Sequence, residues 1–324
     1  MEQPHPHAAH GPDFPPLVSV AWFVVGPTAS GKSSVAHALA ERVDAELLSL
    51  DSMAVYRGMD IGTAKPTPEQ RERYRYHLLD LVEPTEAFSI GRYLTAAHQA
   101  VSVIRARGRQ PIFVGGTPLY LKALLRGLHS GPPADPQFRQ EVERDADEYG
   151  VQVLWERLRI VDPLAAHQLK PSDRRRIIRA LEVVHVTGKP LSHQQVHFDR
   201  SQSPTSSNAF FLKWPRDQLH RRIETRVEMM IDAGLFDEVE RLLSRYGTLG
   251  RTASQAVGYR EPIACLQGQG DRRRTLEEIQ AHTRQLARRQ ETWYHSLPEL
   301  RAIPCIEPLS AERVAEQILA QRVD

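Results

Sequence analysis

The chain has 324 residues, 41% of them hydrophobic and 25% charged, with a formal net charge of +2, the make-up of a globular protein with room for two domains or one domain carrying an insertion. Its longest apolar run, 17–25, contains Ser19 and falls far short of the ~18 residues a membrane span needs. No basic-then-apolar leader opens the chain, and Cys265 and Cys305 form no CxxC pair, so a cytoplasmic protein without membrane contact or zinc knuckle is expected.

Residues 1–17, rich in Pro and His and without apolar period, predict a disordered tail. Val20–Val25 then reads as a buried strand and 34–42 as a helix. Between them lies Gly26-Pro27-Thr28-Ala29-Ser30-Gly31-Lys32-Ser33, the G-x4-G-K-S spacing of a P-loop in its strand–loop–helix setting. Glycines there let consecutive backbone N–H groups and a helix N-terminus face one phosphate. Lys32 adds a mobile positive charge, and the Ser33 hydroxyl is a candidate Mg2+ ligand. The chain is therefore expected to bind a di- or triphosphate.

A second strand, 45–51, ends in Asp51. In open α/β sheets ligands bind beyond the carboxyl ends of the strands, which brings Asp51 near whatever the P-loop holds. Three roles stay open: metal ligand, general base, or cap of the next segment. Residues 51–66 begin helix-like and end in a Gly- and Pro-rich loop, where Arg57 and Lys65 either reach phosphate or stay exposed. Short strand 77–80, helix 88–107 and strand 111–117 follow, and the last turns on Gly115-Gly116-Thr117 into a helix over 119–128. A nucleotide hydrolase usually shows a metal-binding aspartate at that strand end.

From about 130 the composition shifts. A Pro-rich link leads into helices over 137–149, 151–159, 163–169 and 174–186, the last opening with arginines, and Ser/Thr-rich 201–208 is a flexible return. Residues 132–208 thus read as a helical insertion within an α/β core of 18–131 and 209–324. Strand 209–214 re-enters the sheet, and one or two helices over 216–244 carry Arg222 and Arg226, four apart on one face. These are either i,i+4 partners of Asp and Glu on the same helix or a second phosphate clamp. Residues 252–260 form a loop and turn, 276–293 a basic helix ending in aromatics, 299–305 a last strand, and Ser310 caps a final helix. Residues 170–300 hold 22 Lys and Arg against 16 Asp and Glu, a mild basic excess compatible with a nucleic-acid partner.

Five blocks in order, GPTASGKS (26–33), DSMAVYRGMDIGTAKP (51–66), VGGTPLYLKALLRGL (114–128), RRIIRALEV (175–183) and QAVGYRE (255–261), resemble the tRNA dimethylallyltransferase (bacterial tRNA isopentenyltransferase) family. The likeness runs from about 22 to 295. It departs at Tyr76-His77, where the family usually has paired histidines, and at Pro118, often a small residue. It implies a P-loop NTPase-like parallel sheet flanked by helices, with a helical insertion domain contacting tRNA. It also implies transfer of the dimethylallyl group of dimethylallyl diphosphate to N6 of the adenosine next to the anticodon, with Mg2+ as cofactor and no obligate protein partner. The P-loop would then hold a departing diphosphate, so no metal aspartate for ATP hydrolysis is required.

Carried over residue by residue, the resemblance makes Asp51 the base that takes the amine proton. Ser33 contacts the diphosphate or its metal, and Arg222 clamps the diphosphate with Arg226 one turn on. Thr117 lies beside the flipped adenosine, and Ser52, Met53 and Ala54 share that acceptor side. Arg139, Arg175, Arg176, Ile177, Ile178 and Arg179, with Gln255, Gly258, Tyr259 and Arg260, match tRNA-contacting positions. Three other readings remain in view: a prenyltransferase acting on free adenine nucleotides, a P-loop small-molecule kinase, and an RNA-binding protein without catalysis.

Overall fold

The computed structural model describes residues 13–129, 131–194 and 207–323, which fall into two compact units, one of 16–125 with 207–323 and a smaller one of 13–15 with 126–194. The chain enters through β1 (Asp13–Phe14). The larger unit starts with β2 (Trp22–Val25), which leads through the P-loop into α1 (Lys32–Val43), then β3 (Ala45–Leu50), α2 (Pro68–Arg73), β4 (Tyr76–His77), α3 (Ile90–Ala106), β5 (Gln110–Gly115) and α4 (Pro118–Arg126). The smaller unit follows with β6 (Leu128–His129), α5 (Pro136–Tyr149), α6 (Val151–Val161), α7 (Pro163–Gln168), α8 (Arg174–Thr187) and α9 (Leu191–Gln194). The chain then resumes the larger unit with β7 (Ala209–Lys213), α10 (Arg216–Asp232), α11 (Leu235–Tyr246), α12 (Arg251–Ser254), α13 (Arg260–Leu266), α14 (Arg272–His295), β8 (Arg301–Pro304) and α15 (Ala311–Ala320).

The larger unit is built on a six-stranded sheet of order β4-β3-β5-β2-β7-β8, parallel at every pairing. A parallel sheet is covered on both faces, so its strands run apolar without alternation. Phe23, Val24, Val25, Leu47, Leu48, Leu50, Ile112 and Phe113 are all 0% exposed, each burial contributing about 1.5–3 kcal/mol. Register fixes the site: Val25 and Leu50 both pair with Gly115. The next residues, Gly26, Asp51 and Gly116, therefore leave the sheet side by side at its carboxyl edge, where the order of strands reverses around β2.

In the smaller unit, α5, α6, α7 and α8 close around Leu154, Leu158, Ile177 and Ala180, all 0% exposed. Asp135, Asp162 and Asp173 each cap the helix that follows by accepting a backbone N–H.

Several expectations are corrected. The tail ends earlier than 17, because β1 pairs antiparallel with β6 and Phe14 and Leu17 are buried; residues 1–12 lie outside the described ones, as do 201–206 of the return link. Residues 51–66 form turns rather than a helix start, tied down by a parallel bridge between Tyr56 and Val82. The strand expected over 77–80 stops at His77, since Leu78 (φ 64) and Asp80 (φ 55) turn left-handed. The span 216–244 agrees with the expectation of one or two helices: there are two, divided at Gly234 (φ 92).

Candidate active site

The P-loop is shaped by backbone that few residues tolerate. Gly31 (φ 79) and Ala29 (φ 64) are left-handed, and a Cβ on Gly26 would come within 2.6 Å of Ser30 Oγ. No side chain caps α1, which leaves its first N–H groups for a ligand at the positive end of the helix. Lys32 folds back to donate from Nζ to Pro27 O at 3.2 Å. Burial, reinforced by the Arg226 charge and opposed by Asp51, pulls its ammonium from 10.5 down to about 8. Arg226 is depressed chiefly by burial, with Arg222 adding to it and Asp51 opposing. Lys32 and Arg226, both half-buried, thus share a positive region whose counter-charge is Asp51. Ser33 is exposed in the first turn of α1.

Asp51 follows β3 and caps the turn after it, its Oδ1 accepting from Met53 N (2.7 Å) and Ala54 N (3.3 Å). Among the described residues both bonds use Oδ1. Thr117 is fastened to the same strand end: its N–H donates to Leu50 O (3.1 Å), and its Oγ1 accepts from Ser52 N (3.0 Å). β3 and β5 are so close here that a Cβ on Gly115 would fall 2.2 Å from Leu50 O. Glycine, where a hydrolase would place a metal carboxylate, is what lets Asp51 and Thr117 approach.

Arg222 reaches the P-loop from α10, donating from Nε to Ala29 O at 2.8 Å. Its guanidinium lies 4.4 Å from the Trp214 ring centroid and pairs with Glu307. Trp214 in turn donates from Nε1 to Ser30 O at 3.0 Å. Glu307 lies 85 positions from Arg222 and is not an i,i+4 partner, while the bond to Ala29 O brings the guanidinium to the P-loop.

Gln290 and Tyr294 of α14 carry no sequence motif and complete the site. The backbone N–H of Thr28 donates to Gln290 Oε1 (2.9 Å), and Gln290 Nε2 donates to Gly116 O (2.7 Å). The Tyr294 hydroxyl lies 3.0 Å from Gly116 O and 3.3 Å from Gly26 O. Burial pushes this phenol well above its ordinary range, with Asp51 adding to the effect.

A sequence model described as IPP transferase matches residues 54–297. The tRNA dimethylallyltransferase of Rhodopirellula baltica is 47% identical over 315 residues, covering 95% of this chain and 94% of that protein. The chain belongs to the IPP transferase family. The tRNA dimethylallyltransferase of Thiobacillus denitrificans is 43% identical over 309 residues, covering 95% and 97%. Among solved structures, a Bacillus halodurans tRNA isopentenylpyrophosphate transferase matches this IPP transferase with TM-score 0.67 and 34% identity, covering 94% and 96%. A eukaryotic dimethylallyltransferase acting on tRNA matches with TM-score 0.75 and 25% identity, covering 92% and 76%. A second model, isopentenyl transferase, matches only 19–85, the cradle and Asp51 without the arginines of α10.

The remaining sequence-predicted positions of this IPP transferase divide. Ile177 (0% exposed) and Ile178 (5%) belong to the core of the smaller unit, so they are not presented as contact residues. Arg139 and Arg179 are committed to the buried Glu182 carboxylate at 2.7 and 2.5 Å. Burial alone would raise Glu182, but hydrogen bonds from these two arginines hold it below its ordinary value. Arg175 and Arg176 are exposed, Arg176 lying 3.3 Å from Asp173. In the larger unit Tyr259 is buried, its hydroxyl donating to Glu238 at 2.6 Å, and Glu238 also accepts from Asp60 N and Ile61 N. Tyr259 thus braces the 58–62 turn rather than facing solvent. Gly258 (φ 88) is buried as well, its N–H donating to Glu261. Gln255 is exposed, and Arg260 is half-buried against Glu261 at 2.7 Å. Lys65, a candidate phosphate contact, is instead buried between Asp60 (2.8 Å) and Asp80 (2.6 Å), while Arg57 is exposed, donating from Nε to Asp80 O. No helix among the described residues is long and apolar enough to cross a membrane.

Proposed function

We infer that this protein moves the dimethylallyl group of dimethylallyl diphosphate to N6 of adenosine 37, beside the anticodon of tRNA, releasing diphosphate. The observation that carries the reading is the pairing at one sheet edge: a cationic phosphate cradle next to Asp51 and Thr117, with a Gly-Gly turn in place of a hydrolase's metal carboxylate. An exocyclic adenine amine is a weak nucleophile, so transfer needs a good leaving group and a base. In the step, the C1–O bond breaks and its electron pair leaves on the diphosphate. The N6–C1 bond forms, and the N6 proton passes to Asp51. Backbone amides of Gly26 to Ser33, with Lys32, Arg222 and Arg226, stabilise the charge that grows on the diphosphate, usually the largest catalytic contribution. Proton removal by Asp51 is worth typically ~10²–10⁴-fold.

Thr117, Ser52, Met53 and Ala54 form the acceptor side, against which the adenosine is held once it is turned out of the loop; unstacking costs least in an already single-stranded anticodon loop. The exposed Arg175, Arg176 and Gln255, with Arg260, are the candidate RNA contacts. Mg2+ suits this donor set, because it takes most of its ligands from water and phosphate oxygens rather than from a protein cage. Among the described residues no group of three or more His, Cys, Asp or Glu converges, and the exposed Ser33 hydroxyl is the oxygen that would join the diphosphate in holding the ion. Bound there, Mg2+ would neutralise charge on the leaving group.

The test is mass analysis of tRNA after incubation with dimethylallyl diphosphate and Mg2+. One added prenyl group on a single adenosine is expected, with none on AMP. Alkylation of AMP would return the free-nucleotide reading, and transfer of the ATP γ-phosphate to a metabolite, with RNA unaltered, would return the kinase reading. The match to the α10 and 255–261 segments, which the short isopentenyl transferase match lacks, favours the tRNA acceptor.

A further inference from the structure

The transfer requires two separately bound groups, a diphosphate in the P-loop and a base against Asp51 and Thr117, to meet at bonding distance. Both loops hang from strand ends of one sheet. Gln290 joins them. It is 7% exposed and far from either in sequence. Its amide orientation is dictated by its partners: a backbone N–H on Thr28 must face the oxygen, and a carbonyl on Gly116 must face the nitrogen. One turn on, the buried Tyr294 hydroxyl bridges Gly26 O and Gly116 O.

The bonds then run on without a gap. Gly116 N and Thr117 N both donate to Leu50 O, and Thr117 Oγ1 accepts from Ser52 N next to Asp51. Gly116 is shaped to this link, since a Cβ there would meet Gln290 Nε2 at 2.6 Å. We propose, on the prenyl-transfer reading above, that Gln290 is a positioning residue whose side-chain amide sets the separation between the diphosphate cradle and the Asp51–Thr117 acceptor side. Its amide oxygen and nitrogen are taken up by Thr28 N and Gly116 O. A displacement of about 1 Å between reacting groups can cost roughly 10²-fold in rate, and loops left with the Tyr294 contact alone across this seam lose that alignment while each still binds its own substrate.

The experiment measures the single-turnover rate of prenyl transfer with both substrates saturating, and separately the affinity of each substrate alone. The proteins are wild type, Gln290→Met, Gln290→Glu, Gly116→Ala and the Gly116→Ala/Gln290→Met double variant. Expected is a rate loss of roughly 10²-fold in Gln290→Met, with both affinities within about threefold of wild type. Gly116→Ala, which pushes the amide away from the other side, should show the same split. The double variant should be no slower than the slower single, because both remove one link. If Gln290→Met does not fold, Gln290→Glu and Gly116→Ala carry the comparison. An active wild type whose variants keep full single-turnover rate, or lose it only through weaker binding of one substrate, overturns the proposal alone. A wild type that alkylates no RNA adenosine overturns the functional reading and this inference together.

Discussion

Diphosphate binding should draw a proton onto Lys32. In the free protein this ammonium is brought from 10.5 down to about 8 by burial and by Arg226, against the pull of Asp51. A bound diphosphate stabilises only the charged form and so restores a high value. The neutral fraction before binding is then about a tenth at pH 7, about half at pH 8 and about three quarters at pH 8.5, and binding takes up the same number of protons. Between pH 8 and pH 9, above the range in which the diphosphate itself titrates, affinity should accordingly fall about fivefold; a lysine at its ordinary 10.5 would leave it almost flat over that range. Titration calorimetry of dimethylallyl diphosphate without RNA, in buffers of different ionisation enthalpy, reads the proton count directly. Lys32→Met should bind more weakly and take up no proton. Uptake that is absent at pH 8.5 in the wild type, or that survives in Lys32→Met, refutes the assignment.

Three further outcomes are expected. Asp51→Asn keeps an oxygen for Met53 N and Ala54 N but removes the proton acceptor, so turnover should fall roughly 10²–10⁴-fold with tRNA retention on filters unchanged; turnover near wild type would remove Asp51 as the base. Arg222→Lys keeps charge but loses the guanidinium over the Trp214 ring and the Nε that reaches Ala29 O. Its kcat/KM for dimethylallyl diphosphate should drop roughly 10- to 100-fold, and steady-state kinetics at saturating tRNA checks this. Glu182→Gln strips the charge that Arg139 and Arg179 share in the smaller unit. With those arginines 41% and 34% exposed and able to resolvate, the loss should be about 1.5–3 kcal/mol in urea unfolding. Because the Glu182 carboxyl is held below its ordinary value, that contribution is full above the ordinary carboxylate range and fades as pH falls below it, so wild type and variant should converge in acid.

What the sequence could show depended on how far each contact reaches along the chain. The cradle was legible because spacing, strand and helix all lie within about twenty residues of one another, and Asp51 because a strand that ends in a carboxylate beside a P-loop has few places to put it. Gln290 was not: its partner Thr28 is 262 positions away, and a glutamine within a basic helix carries no local mark. Ile177 and Ile178 show motif and pattern in conflict. The resemblance marks their block for RNA, whereas apolar residues among arginines on an amphipathic helix belong to the core, and the core is where they lie. Leu78 and Asp80 defeat strand reading for another reason, since left-handed backbone at non-glycine residues has no propensity signal.

The near-contact of Gly115 with Leu50 O bears on how such an enzyme can be re-engineered. Any side chain at 115 would wedge two strand tips apart and separate Asp51 from Thr117 at once, so random libraries gain nothing there. On the prenyl-transfer reading, a change of acceptor is better sought at the half-buried Ser52 and Met53.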